Sequence, residues 1–389
     1  HYRSFVFTAL LLGVTACSAE QDNIPEAAPV SETLIRTASI AIPDPLAADI
    51  AEQILHDGGN AVDAAVATGF ALAVTYIDAG NIGGGGFMTI WHEGEPAFLD
   101  YRERAPLAGD RDMYLDENGD VIDDSSLVGG QAVATPGTVA GFWTAHQRFG
   151  ELPWRDLITP AIRLAEDGFV PAEVLVQDVR SLLPSFENRT NFHEYFGHID
   201  PTETFRQPEL ADTLRRIAES GPGDFYRGET AELIVAEMAR SNGLITQEDL
   251  DDYRAVWREP LRADWRQYEV ISAPPPSSGG FAVIQLLKMK DNLARHFENV
   301  GHNSPQYIHL VAEMEKRVFA DRAEYLGDPD YFDVDIEALI ADNYIARRAE
   351  EVDPYNISAL DGVGPGLESP NTTHYSIIDP WGNAVSNTY

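Results

Sequence analysis

Asn371-Thr372-Thr373-His374-Tyr375-Ser376-Ile377 opens a stretch that resumes, past Pro380, as Gly382-Asn383-Ala384-Val385-Ser386-Asn387-Thr388-Tyr389. From Thr372 to Asp379 polar and apolar residues alternate with the period of two that a half-buried strand requires. Pro380 to Asn383 supply turn residues, and Ala384 to Tyr389 start the partner strand. A hairpin centred near residue 380 is the expectation. Threonine-rich strands are ordinary structural elements, so spacing alone assigns this one no chemistry.

Upstream, Ala47 to Ile54 and Ala61 to Tyr76 carry helical spacing, with Gly58-Gly59-Asn60 between them. Asn60 stands where an N-cap belongs. Four glycines, Gly83 to Gly86, precede a strand-like Phe87 to Trp91, and Ala97 to Tyr101 reads as its return strand. Trp154 to Arg240 alternates helical patterns with Pro and Gly breaks. Glu248 to Tyr253 and the long Ser304 to Leu326 read as helices. Between them Ser272 to Gly280, with three consecutive prolines, reads as a loop packed close to something. No repeat of 20–50 residues is present.

The chain has 389 residues, 63 of them Asp or Glu and 27 Lys or Arg, for a formal charge of −36. Only Lys288, Lys290 and Lys316 are lysines; the other 24 basic residues are arginines. That acidic excess excludes nucleic acid as a partner, because a phosphate backbone needs a basic footprint. With 44% hydrophobic and 23% charged residues the chain is expected to be globular.

Residues Phe5 to Ala16 form an apolar run behind Arg3. Twelve helical residues span roughly 18 Å, short of a bilayer core of about 30 Å, so residues 1–16 read as a signal peptide. Val14-Thr15-Ala16-Cys17 resembles a bacterial lipobox, which makes Cys17 a lipid-attachment site and residues 17–36 its tether. Ser18 favours the outer membrane, and the expected location is the periplasmic side of a bacterial envelope. The membrane would be met only through that anchor. Cys17 is the only cysteine, so no disulfide or cysteine metal site can form within the chain.

Several motifs fail on inspection. No Lys-Ser/Thr pair follows the four glycines, so they are a tight turn where backbones approach and not a phosphate loop. Asp116-x-Asn118-x-Asp120 starts like a calcium loop, but Val121 and Leu127 occupy its glycine and glutamate positions. His193 and His198 lie five apart where a zinc-protease helix needs four. Asn188, Asn356 and Asn371 each open a glycosylation sequon, without meaning in a bacterial protein. No metal and no cofactor is expected.

The stretch from Asn371 to Tyr389 closely resembles the processing-site signature of the γ-glutamyltranspeptidases. Other segments stand in that family's order: Gly58 to Ala65, Gly83 to Phe87, Arg102-Glu103-x-Ala105-Pro106 and Pro136 to Gly141. So do Asp224-Phe225-Tyr226-x-Gly228, Pro275 to Gly280 and Phe319-Ala320-Asp321-Arg322. The resemblance covers nearly all of residues 37–389.

It implies an α/β (α+β) N-terminal nucleophile hydrolase, a four-layer αββα sandwich made as one precursor. Residues 37–371 would form the large subunit, and residue 372 onward the small one. Thr372 would attack the carbonyl of Asn371 and cut the chain. Its new amine would then activate its own hydroxyl against γ-glutamyl amides such as glutathione, with water, amino acids or peptides as acceptors. Arg102 would hold the substrate's α-carboxylate in a two-pronged pair. For Thr373, His374 and Ser376, support of the nucleophile and strand packing are equally open. The signature's next threonine and the oxyanion-hole glycines would lie past Tyr389. The expectation is therefore a C-terminally truncated, incomplete sandwich, inactive and poorly soluble as it stands. A changed substrate, a β-lactam side chain or a poly-γ-glutamate capsule, is the second hypothesis; a catalytically dead binding lipoprotein is the third.

Overall fold

The computed structural model describes residues 37–359 and 372–389; the tether, Cys17 and Asn371 lie outside them. Eight strands are found among these residues: β1 Ser39–Ala41, β2 Phe87–His92, β3 Glu95–Asp100, β4 Val256–Arg258, β5 Leu261–Trp265, β6 Tyr268–Ser272, β7 His374–Ile378 and β8 Ala384–Thr388. Six of them make one antiparallel sheet in the order β1-β7-β8-β2-β3-β4, and β5 and β6 form a separate ribbon. The hairpin expected around residue 380 is thus β7–β8, with Ser376 opposite Ser386 and Ile377 opposite Val385. It occupies the middle of the sheet. The described residues contribute this sheet and its helices to the α/β architecture; a second stacked sheet is not among them.

Two helices follow β1: α1, Pro45–His56, and α2, Ala61–Thr75. All residues of α2 are buried. A helix apolar on every side belongs inside a protein, and its alanines let neighbours approach closely. Asn60 starts it with a capping box, its Oδ1 accepting from the N–H groups of Val62 and Asp63 at 2.8 and 3.0 Å. Asp63 returns the contact to the Asn60 N–H at 3.1 Å and also accepts from Glu151 and Leu152. Burial pushes the Asp63 carboxyl up, and those backbone donors oppose it.

The helices α3, Thr138–Phe149, and α4, Trp154–Asp167, complete the wall around α2. Pro160 lies inside α4 and Pro184 inside the helix Glu173–Phe186, although prolines in this region read as breaks. Each removes one backbone hydrogen bond, and buried neighbours such as Leu157, Ile158 and Ala161 hold the flanking turns in place.

A second apolar cluster lies between the β5–β6 ribbon and the helices Gly279–Asn292 and Pro305–Tyr325. Inside it Glu313 accepts from Lys316 at 2.6 Å and Arg317 at 2.7 Å. Burial alone would push Glu313 up; hydrogen bonds from Lys316, Ser358 and Arg317 outweigh it and hold the carboxyl at about 2. The charge is buried but fully paired, which fixes how the long helix sits.

Candidate active site

Thr372 stands just ahead of β7 with its side chain exposed, and its Oγ1 donates to the Tyr389 carbonyl at 3.4 Å. The next residue, Thr373, is buried and exchanges backbone hydrogen bonds with Tyr389 at 3.0 and 3.1 Å. From there the pleat sorts side chains by parity: Tyr375 and Ile377 face the core, His374 and Ser376 the opposite side. His374 Nδ1 lies 2.7 Å from Thr388 Oγ1, and its Nε2 lies 3.1 and 3.3 Å from Ser376 and Ser386. Burial lowers the pKa of this ring, so near pH 7 it is neutral. Among the described residues none of Thr373, His374 and Ser376 hydrogen-bonds Thr372 through its side chain.

The hairpin hangs on α2 by three bonds spaced four residues apart. Asp379 Oδ2 accepts from the Ala61 N–H at 3.1 Å, the Tyr375 hydroxyl donates to the Ala65 carbonyl at 2.8 Å, and the Tyr389 hydroxyl to the Gly69 carbonyl at 2.7 Å. Residues 61, 65 and 69 lie along one face of the helix. Burial pushes both phenols well above the usual tyrosine range, so they remain protonated donors. A third buried tyrosine, Tyr101, donates to Asn387 Oδ1 at 2.7 Å.

Arg102 follows β3, and side chains grip both polar groups of its peptide. Its N–H donates to Asp100 Oδ1 at 3.0 Å, and its carbonyl accepts from the Tyr253 hydroxyl at 2.8 Å. Asp100 is itself held by Arg258 Nε at 2.8 Å, and the other two guanidinium nitrogens of Arg258 each lie 3.0 Å from Asp330. Those bonds, to Asp330 and then Asp100, raise the pKa of Arg258. The Arg102 guanidinium, 6.0 Å from the centre of the Phe87 ring, has no ion-pair partner among the described residues. The quartet of glycines earns its place by close approach: a Cβ on Gly85 would meet the Glu103 nitrogen at 2.6 Å, and one on Gly86 the Tyr389 Cβ at 2.5 Å.

Thr372 and Arg102 line one cavity of about 1140 Å³, together with His374, the Ser277–Gly280 loop and Arg322. Five arginines face this cleft beside four carboxylates, Asp100, Glu103, Asp328 and Asp330, a local balance far less acidic than that of the chain as a whole. No group of three metal-ligating side chains occurs among the described residues. Asp116 folds back on its own loop, accepting from Asn118 and Asp120 at 2.8 and 2.9 Å, as a solvated turn does. Sequence reasoning singled out Thr372 and Arg102 but missed Asp100, Tyr253 and Arg258. The last of these stands more than 150 residues from Arg102 and carries no local signal.

The family profile described as gamma-glutamyltranspeptidase matches residues 47–389. A glutathione hydrolase proenzyme of Pseudomonas aeruginosa is 53% identical over 384 residues, covering 99% of this chain and 68% of that protein. The Escherichia coli glutathione hydrolase proenzyme is 43% identical over 360 residues, 90% of this chain and 62% of that protein. The chain thus spans about two thirds of the length of these relatives. Among solved structures, the gamma-glutamyltranspeptidase of Pseudomonas nitroreducens, complexed with L-DON, superposes with a TM-score of 0.82 at 56% identity. It covers 84% of this chain and 98% of the other.

Proposed function

The chain belongs to the gamma-glutamyltranspeptidase family, and from that premise we propose that it is the precursor of a γ-glutamyltransferase and glutathione hydrolase. The observation that carries this reading is the shared cleft, with an exposed threonine hydroxyl and, on its wall, a guanidinium that has no ion-pair partner among the described residues. In the maturation step Thr372 Oγ attacks the Asn371 carbonyl, and the amide nitrogen leaves as the Thr372 amine. Water opens the resulting ester, freeing the carboxyl end of residue 371. The new amine has a reference pKa of about 7.7–8, so near pH 7.5 about a third is neutral and able to take the hydroxyl proton.

In turnover the same oxygen attacks the γ-carbonyl of the donor. The amine leaves with a proton, and water or a second amine collects the acyl group. Arg102 receives the α-carboxylate in this scheme; its peptide is clamped by Asp100 and Tyr253, so the guanidinium is offered from a fixed base. γ-Glutamyl-anilide is therefore expected to be hydrolysed roughly 100-fold better than 4-aminobutyryl-anilide, which keeps the amine but lacks the α-carboxylate. Arg102→Gln should erase most of that preference, chiefly by raising KM. Equal rates on both substrates in the parent protein would exclude the γ-glutamyl reading in favour of an acylase.

We also read Cys17 as a lipid anchor that places the enzyme on the periplasmic side of the envelope. Support comes from the short apolar run before it and the polar tether after it. No helix among the described residues is long and apolar enough to cross a membrane. Expressed from its own gene, the parent protein should sediment with membranes and Cys17→Ser should not. A parent protein free of the membrane fraction would end this reading.

A further inference from the structure

The cleft holds more cationic capacity than one α-carboxylate uses. Of its five guanidiniums, Arg258 is committed to Asp100 and Asp330. Arg254 donates to the carbonyls of Asp251 and Tyr253 at 2.7 and 2.6 Å, and Arg322 Nε donates to Ser278 Oγ at 3.0 Å. Arg102 and Arg104 remain, neither with an ion-pair partner among the described residues, and Glu103 between them pairs with neither.

Arg104 is built into the wall. Its backbone forms a β-bridge with Thr135, donating at 3.2 Å and accepting at 2.8 Å. It follows Arg102 by two residues, and both side chains line the cleft. The guanidinium lies 5.8 Å from the centre of the Tyr253 ring. That ring stacks on Tyr226 at 5.8 Å and 9°, and both tyrosines are buried. A guanidinium held by attraction to a ring can still turn its N–H edge to a planar anion. Asp330, which lines the cleft with Asp328, feels the charge of Arg104 but gives both its hydrogen bonds to Arg258.

We propose that Arg104 is a second carboxylate subsite, receiving the C-terminal carboxylate of the peptide on the leaving side of the scissile γ-amide. In glutathione this is the glycine end. An extended tripeptide spans about 10 Å, on the scale of the cleft of about 1140 Å³ that both guanidiniums line. Leaving peptide and acceptor approach the acyl-enzyme from the same side, so a dipeptide acceptor uses the same guanidinium. The inference rests on the function proposed above. It adds that free peptides are preferred over donors lacking a terminal carboxylate, and it names the residue that makes the choice.

The test compares kcat/KM for glutathione, glutathione esterified at glycine, and γ-glutamyl-anilide. The parent protein should favour glutathione over its glycine ester about tenfold. Arg104→Gln should bring that ratio to within twofold of one, and Arg104→Lys should restore part of it. If Arg104→Gln fails to accumulate, Arg104→Met, which keeps the stem over Tyr253, reads the same ratio. A parent protein that ignores esterification, or a neutral variant that keeps the full preference, overturns the subsite while leaving γ-glutamyl activity standing. A parent protein inert on all three donors overturns the function and the subsite together.

Discussion

Thr372→Ala, expressed from the gene, should migrate as one unsplit band on a denaturing gel where the parent protein gives two. γ-Glutamyl hydrolysis should fall by a factor on the order of 10⁴ or more, since removing a covalent nucleophile leaves only binding and electrostatic terms. Both losses have one cause. The alanine has no oxygen to take the Asn371 acyl group, so no amine is released and no acyl-enzyme can form. Thr372→Ser keeps the oxygen and should split slowly and retain measurable turnover. In the parent protein the acid limb of the rate should titrate near 7.7–8, the range of an α-amine. His374, held below the usual histidine range, would place that limb under 6.5 if it were the base. A Thr372→Ala protein that still splits would show that the cut is made elsewhere or by another agent.

Gly69→Ala should destabilise the folded chain by about 3 kcal/mol, the upper part of the range for overpacking a core. A Cβ there would come within 2.2 Å of the Phe142 ring edge and lie 3.2 Å from the Tyr375 hydroxyl. Phe142 cannot retreat easily, since it packs edge-on against Phe70 and Tyr101. The second effect concerns the hairpin. Tyr389 donates to the Gly69 carbonyl itself, so a shift of this turn is passed to the strand ends that present Thr372. A denaturant midpoint lowered in proportion, together with slower splitting, is the expected pair of readings. An unchanged midpoint would mean that α2 and α3 are packed more loosely than the structure has them.

Local signals carried much of this architecture. Asn60 announced the start of α2 because an N-cap is a local signal; the capping box it forms with Asp63 came with the structure. The β7–β8 hairpin was legible because its alternation and turn lie in one short stretch. Thr372 and Arg102, which line one cleft, were singled out through the resemblance of their flanking residues and not through any chemistry visible in isolation. What fixes Arg102 was invisible: Tyr253 ends a helical segment, Arg258 lies on an edge strand, and only folding brings them to residue 102. The order of the sheet was equally hidden, since β1 and β2 are near in sequence yet do not pair. Two strands from the far end of the described chain stand between them.

That arrangement has a kinetic meaning. With adjacent strands about 4.8 Å apart, β1 and β2 frame a slot roughly 14 Å wide, and the hairpin that carries Thr372 fills it. Until it is seated, the sheet has two raw inner edges; once seated, it is laced on both sides and pinned to α2. A scission that depends on Thr372 being in place would then act as a time-stamp, struck only on molecules whose last strands have docked. Because hydrolysis of the chain is irreversible in practice, the stamp cannot be withdrawn, and unsplit protein in a preparation measures the fraction that never closed its sheet.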